Sequence, residues 1–163
     1  MSMIRKQANT MGDMDPNITK EKFDAMTAEL QKLKDSWPEL AKEVSRLAEM
    51  GDFSENAAYQ MAKGKLRGVN WRILEVEDFL KRAVVIELPK NTGIVQLGSL
   101  VTIEIGGVER SYRILGSAET DPLKNVISQN SPVGSALLNH KAGDTVIVHL
   151  ESGDKSFKIV RIE

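Results

Sequence analysis

The chain has 163 residues, a formal charge of −1 and 41% hydrophobic residues, enough for one medium domain or two small ones with a packed core. It contains no cysteine, which excludes disulfides, thiolate metal sites and a cysteine nucleophile, and only His140 and His149 offer an imidazole. No apolar run approaches the roughly 18 residues of a membrane span, and charges stand where a signal peptide needs its apolar stretch, so the expectation is a cytoplasmic protein with no membrane partner.

Residues 1–17 have no sustained period and read as a disordered tail. Pro16, Asn17 and Thr19 then supply helix-start chemistry, with Glu21 in the first turn where the helix dipole favours an anion. Phe23, Met26, Leu30, Leu33, Trp37, Leu40, Val44 and Leu47 recur at alternating spacings of 3 and 4, a heptad seam. This predicts a first arm from about Thr19 to Met50, about 48 Å long. Pro38 withholds a donor from the Lys34 carbonyl and predicts a kink near Trp37, but the heptad phase passes through it unbroken. After a Gly51-Asp52 break, Tyr59, Ala62, Leu66, Val69, Ile73, Val76, Leu80 and Ala83 repeat the pattern, placing a second arm from about Asp52 to Arg82. Two seams of equal length fold back on each other as an antiparallel coiled-coil hairpin over 18–83, with its tip at 51–56. Because the hairpin already uses both seams, a monomer is expected. Gly64 and Gly68 weaken the second arm by roughly 1 kcal/mol each relative to alanine. They would admit either the other arm or a partner, and periodicity does not choose between them.

From Val84 the period changes to 2, marking a second domain over 84–163. Strands are predicted at 84–88, at 98–105 and 108–115 around a Gly106-Gly107 turn, at 126–129, and at 145–150 and 155–162 around Glu151 to Asp154. Ser131-Pro132 opens one short helix. The predicted fold class is therefore α+β: the helical hairpin followed by a mainly antiparallel sheet with one short helix. The second domain has no phosphate loop, catalytic triad or metal cluster, and Asp121, Asp144 and Asp154 sit beside Pro or Gly, where aspartate makes turns. It reads as a docking platform.

Two stretches of the hairpin hold the candidate chemistry. Asp52 and Glu55 are spaced as a capping box, Asp52 at the N-cap and Glu55 reaching back from N3. Alternatively, carried at the remote end of the hairpin with Phe53 beside them, they are hard oxygen ligands that a partner's Mg²⁺ site would accept. Along the second arm, residues 63–72 hold Lys63, Lys65, Arg67 and Arg72 with no acid. They form either a solvated helix face or, with Trp71 beside them, a stripe that tracks a nucleic-acid backbone and stacks a base.

The tip, Gly51-Asp52-Phe53-Ser54-Glu55-Asn56-Ala57-Ala58-Tyr59, resembles the signature of the Gre family of bacterial transcript cleavage factors, the GreA/GreB type. The Gly98-Ser99 strand entry, Tyr112 to Gly116, and Ile127 to Pro132 followed by Ala136-Leu137-Leu138 agree, so the resemblance covers about residues 18–163. It implies that an FKBP-like C-terminal module docks at the rim of the RNA polymerase secondary channel while the coiled coil enters it. The factor is then no independent enzyme. Asp52 and Glu55 would help hold a Mg²⁺ shared with the polymerase and orient water for cleavage of a backtracked RNA 3′ end. Ser54 and Asn56 would hold the turn or contact the site, Phe53 stands at the tip, and Tyr59 would support it from the seam. Lys63 would face the extruded RNA, with Lys65, Arg67 and Arg72 extending the patch. The chain departs from the family at Phe53, where an aliphatic or basic residue is common, and at Ala58, where another acid is common. Its second domain has only Tyr112 and Phe157 as aromatics, too few for a prolyl isomerase pocket. Two alternatives compete: a channel-binding regulator without cleavage activity, and a coiled-coil adaptor whose tip acids are caps only.

Overall fold

The computed structural model describes residues 10–51, 56–91 and 93–163, which form two compact units. One is Phe23–Arg82, and the other combines the segment ending at Lys22 with Ala83–Glu163. The α+β architecture expected from the periodicity is present: a helical pair, then a curled sheet with one short helix.

In the helical unit, α1 (Lys20–Ala48) and α2 (Ala57–Arg82) are about 44 Å and 39 Å long. Thr19 caps α1, its Oγ1 accepting the Lys22 N–H at 3.2 Å. The helix continues through Pro38. Every predicted seam position of both helices is buried or half-buried except Trp37, which is 40% exposed. The Trp37 indole N–H instead reaches across to Asn70 Oδ1 at 2.5 Å. Arg72 to Glu29 at 2.7 Å and Lys34 to Glu77 at 2.5 Å cross between the same helices. Early α1 residues meet late α2 residues in these pairs, as an antiparallel hairpin requires.

The second unit contains a five-stranded sheet of β3 (Leu100–Ile105), β4 (Val108–Leu115), β5 (Val126–Ser128), β6 (Thr145–Leu150) and β7 (Gly153–Ile162), in the order β5-β4-β3-β7-β6. Gly106 and Gly107, at φ +58° and +81°, make the tight turn that joins β3 to β4. The helix α3 (Pro132–Leu137) places Leu137 in a core with Val101, Ile103, Ile114, Val148 and Ile159. A register shift opposite Thr102 and Ile103 changes the phase of β7, so after Phe157 and Ile159 the next core residue is Ile162, not Arg161.

The sheet is mainly antiparallel as expected, with β5 alone running parallel to its neighbour β4: residues 116–125 carry the chain back through two 3-10 turns before it pairs. Two expectations are corrected. The strand predicted at 84–88 is β2 (Val84–Ile86), which stands apart from the five-stranded sheet and pairs in parallel with β1 (Asn17–Thr19). The second concerns the tail. Residues 1–9 lie outside the described residues, but 10–17 are built into the second unit, with Met11 buried and Ile18 beyond them fully so.

Polar contacts hold that segment in place. The Asp15 N–H donates to Ser117 Oγ at 2.8 Å, and the Asp15 carboxylate accepts from the Asn17 N–H at 2.9 Å, from Asn17 Nδ2 and from Gln129 Nε2. The Thr19 N–H and hydroxyl donate to the Glu119 carboxylate at 2.8 and 2.6 Å. Burial raises the Asp15 carboxyl, but the hydrogen bonds from Gln129 and Asn17 outweigh it and hold the pKa below the ordinary value. A group depressed in the folded state stabilises fully above its unfolded pKa, near ~4, and loses that contribution as pH falls through the lower folded value. Asp15→Ala is therefore expected to lower the melting temperature at pH 7. The difference from wild type should shrink in acid below about pH 4, as thermal melts across pH would show.

Candidate functional site

The hairpin tip has two well-defined anchors. At the end of α1 the Met50 N–H donates to the Leu47 carbonyl at 3.2 Å, and Gly51 leaves the helix at φ +127°, a conformation a side chain would strain. At the start of α2, Asn56 Oδ1 accepts the Tyr59 N–H at 3.1 Å while its carbonyl accepts the Gln60 N–H at 3.1 Å. Asn56 is therefore the N-cap. The second helix thus starts at Ala57, later than the arm expected from about Asp52. Asparagine caps as well as aspartate, and Ala57-Ala58 immediately after it are the strongest helix formers available. Asp52, Phe53, Ser54 and Glu55 lie outside the described residues, between these anchors. Tyr59 is half-buried on the seam with the Lys63 ammonium 5.8 Å from its ring centroid. Met50 and Met61, flanking the tip, are 68% and 77% exposed.

The predicted basic stripe divides in two. At about 100° per residue, Lys63 and Arg67 share one flank of α2 and Lys65 and Arg72 the other, about 160° away with the seam between them. Arg72 is committed: its Nε meets Glu29 at 2.7 Å and its Nη1 meets Glu75 at 3.0 Å. Lys65 and Arg67 form no ion pair with any described residue. Trp71, four residues beyond Arg67, is 66% exposed, and Leu74 is 63% exposed. Trp71, expected from the sequence to stand beside the stripe and off the seam, is thus exposed next to the Arg67 flank.

The structure also settles part of the glycine question. A methyl group at Gly64 or Gly68 would meet no neighbouring atom within 4 Å, so neither glycine serves close approach of the other arm. Gly64→Ala and Gly68→Ala are each expected to stabilise the hairpin, by about 1 kcal/mol, measurable by chemical denaturation.

In the second unit, Pro122–Lys124 forms a 3-10 turn capped by Asp121, whose Oδ1 accepts the Leu123 N–H at 3.0 Å. That turn presents Leu123 at 96% exposure, an apolar side chain held out on a fixed backbone and unremarkable in the sequence.

Residues 17–85 match the family described as Transcription elongation factor, N-terminal, and residues 90–163 match Transcription elongation factor, GreA/GreB, C-term. The chain belongs to the GreA/GreB family. Transcription elongation factor GreA of Thermomicrobium roseum is 40% identical over 149 residues, spanning 90% of this chain and 96% of the relative. GreA of Macrococcus caseolyticus is 41% identical over 149 residues, spanning 89% and 94%. Among solved structures, the GreA factor homolog 1 (Gfh1) protein of Thermus thermophilus is 30% identical, with 90% of this chain and 97% of that one covered and a TM-score of 0.42. Like the relatives named GreA, this GreA/GreB chain is thus a transcription elongation factor by family. Among the described residues, no helix is long and apolar enough to cross a membrane.

Proposed function

We propose that this protein binds bacterial RNA polymerase through its secondary channel and stimulates cleavage of backtracked RNA 3′ ends, rescuing arrested complexes in the cytoplasm. The observation that carries this reading is the Asn56 cap. Asn56 caps α2 by itself, so this helix start has a cap that does not call on Asp52 or Glu55, which favours a role for the acids beyond capping. Exposed Met50 and Met61 give the tip an apolar collar for contact with channel walls, and Leu123 gives the second unit an apolar contact for the polymerase surface.

Two carboxylates suit a Mg²⁺ that takes its remaining ligands from the polymerase, phosphate and water, and are too few to hold the ion alone. Among the described residues no cluster of three or more His, Cys, Asp or Glu could hold a metal. When bound, Mg²⁺ supplies Lewis-acid activation of water and neutralises charge at the scissile phosphate. The protein's own part is to place Asp52 and Glu55 against the polymerase centre, where their oxygens would accept hydrogen bonds from the attacking water and orient it. Lys63 and its neighbours hold the extruded RNA. The factor lends these groups to a centre that belongs to the polymerase, and acts as a monomer.

The test is RNA release from a purified backtracked elongation complex in Mg²⁺. Rapid loss of a short 3′ fragment on adding the protein is expected. Binding without release would contradict the cleavage reading.

A further inference from the structure

We propose that Trp71, with Lys63 and Arg67, forms a track for single-stranded RNA on the outer flank of α2, in which the cations hold phosphates and the indole stacks a base. The proposal rests on the reading that the hairpin meets extruded RNA, and assigns that contact to one flank and to an aromatic residue.

Four observations carry it. Residues 57–74 contain no acid, and Glu75, next in the row, is paired with Arg72, so this stretch of α2 itself sets no unpaired anion beside a polyanion. Lys63, Arg67 and Trp71 are four residues apart in turn and all exposed, giving two cations and then an aromatic face at about 6 Å steps along one line. Side chains on a helix lean toward its N-terminus, and the turn on that side of Trp71 is the one that holds Gly68. At Gly64 and Gly68 nothing would meet even a methyl group, leaving open space beside the ring for a base. The opposite flank differs, because Arg72 is held by Glu29 and Glu75. An aromatic face accepts any base, so the track would bind without sequence preference and with strong salt dependence. A protein wall would be matched by the apolar residues alone and would leave the unopposed cations unexplained.

The experiment replaces Trp71 with the photoreactive p-benzoylphenylalanine in the full chain, bound to a backtracked polymerase whose RNA is labelled within the extruded 3′ segment. Illumination should cross-link position 71 to the RNA. The yield should fall about tenfold in the Lys63→Ala/Arg67→Ala background and stay unchanged with Lys65→Ala/Arg72→Ala. In parallel, Trp71→Ala should raise the concentration for half-maximal RNA release by about tenfold, with Trp71→Phe restoring most of the loss. Cross-linking only to a polymerase subunit, or to nothing, overturns the track. Release measured in the same reactions reports separately on the cleavage role: release without an RNA cross-link sinks the track alone. A cross-link without release sinks the cleavage reading and keeps the track.

Discussion

Asp52→Asn combined with Glu55→Gln is expected to reduce stimulated RNA release by about 10²-fold or more while leaving folding and polymerase binding intact. The amides keep the size of the acids and remove their charge, so they bind Mg²⁺ poorly and cannot hold a water for attack. The capping observation makes the result interpretable. The Asn56 side chain accepts the Tyr59 N–H at the start of α2, so this cap is untouched by the double substitution. Its melting temperature should match wild type within about 0.5 kcal/mol of stability. A loss of activity accompanied by a lowered melting temperature would instead be a loss of hairpin structure. Thermal melts and RNA release on the same samples separate the two.

Gly134→Ala is expected to be the most damaging small substitution in the second unit. A Cβ at 134 would sit 2.1 Å from the Ser128 carbonyl oxygen and 3.0 Å from its carbon, both backbone atoms that cannot swing aside. That carbonyl already accepts from the Ser131 N–H at 3.0 Å and the Ser131 hydroxyl at 2.7 Å, and the same hydroxyl accepts the Gly134 N–H at 3.0 Å as the cap of α3. To admit the methyl, α3 must move off β5 and carry Leu137 out of the core. A cost of about 3 kcal/mol follows from such overpacking, which lowers the unit's melting temperature by about 15 °C. Hydrogen exchange should show the loss of protection across β3, β4 and β7, with α1 and α2 unchanged. Uniform protection across the chain would mean that the helix relaxes around the methyl.

The parts of this molecule that sequence reveals are those written in local periodicity. The heptad spacing from Phe23 to Leu47 and from Tyr59 to Ala83 specifies two helices and the faces they bury, and burial follows it at every seam position but Trp37. The alternation from Leu100 to Leu115 around Gly106-Gly107 likewise specifies a hairpin and its turn. What escaped reading depends on partners far away in the chain. Asp15 and Thr19 are anchored by Ser117, Glu119 and Gln129, more than ninety residues on, so nothing near Asn17 announces a strand. Val95 is fully buried because it exchanges backbone hydrogen bonds with the 139–140 segment, in a stretch with no period of its own. At the candidate site the types of residue were legible and their arrangement was not. Four cations within ten residues look like one patch, yet helical geometry splits them, and only the fold shows that Glu29 takes Arg72. The start of α2 was blurred for a similar reason: both Asp52 and Asn56 are residue types that cap, and the structure shows Asn56 capping the helix at Ala57.

The most direct test of the central claim substitutes Fe²⁺ for Mg²⁺ in the polymerase centre of a backtracked complex bound to this protein, then generates hydroxyl radicals at the metal. Radicals cut only the backbone closest to their source. Placement of the tip acids at the metal predicts cleavage of this chain between about Gly51 and Ala57, and none in Ala83–Glu163. Cleavage confined to the second unit, or none at all while the protein stays bound, would contradict it.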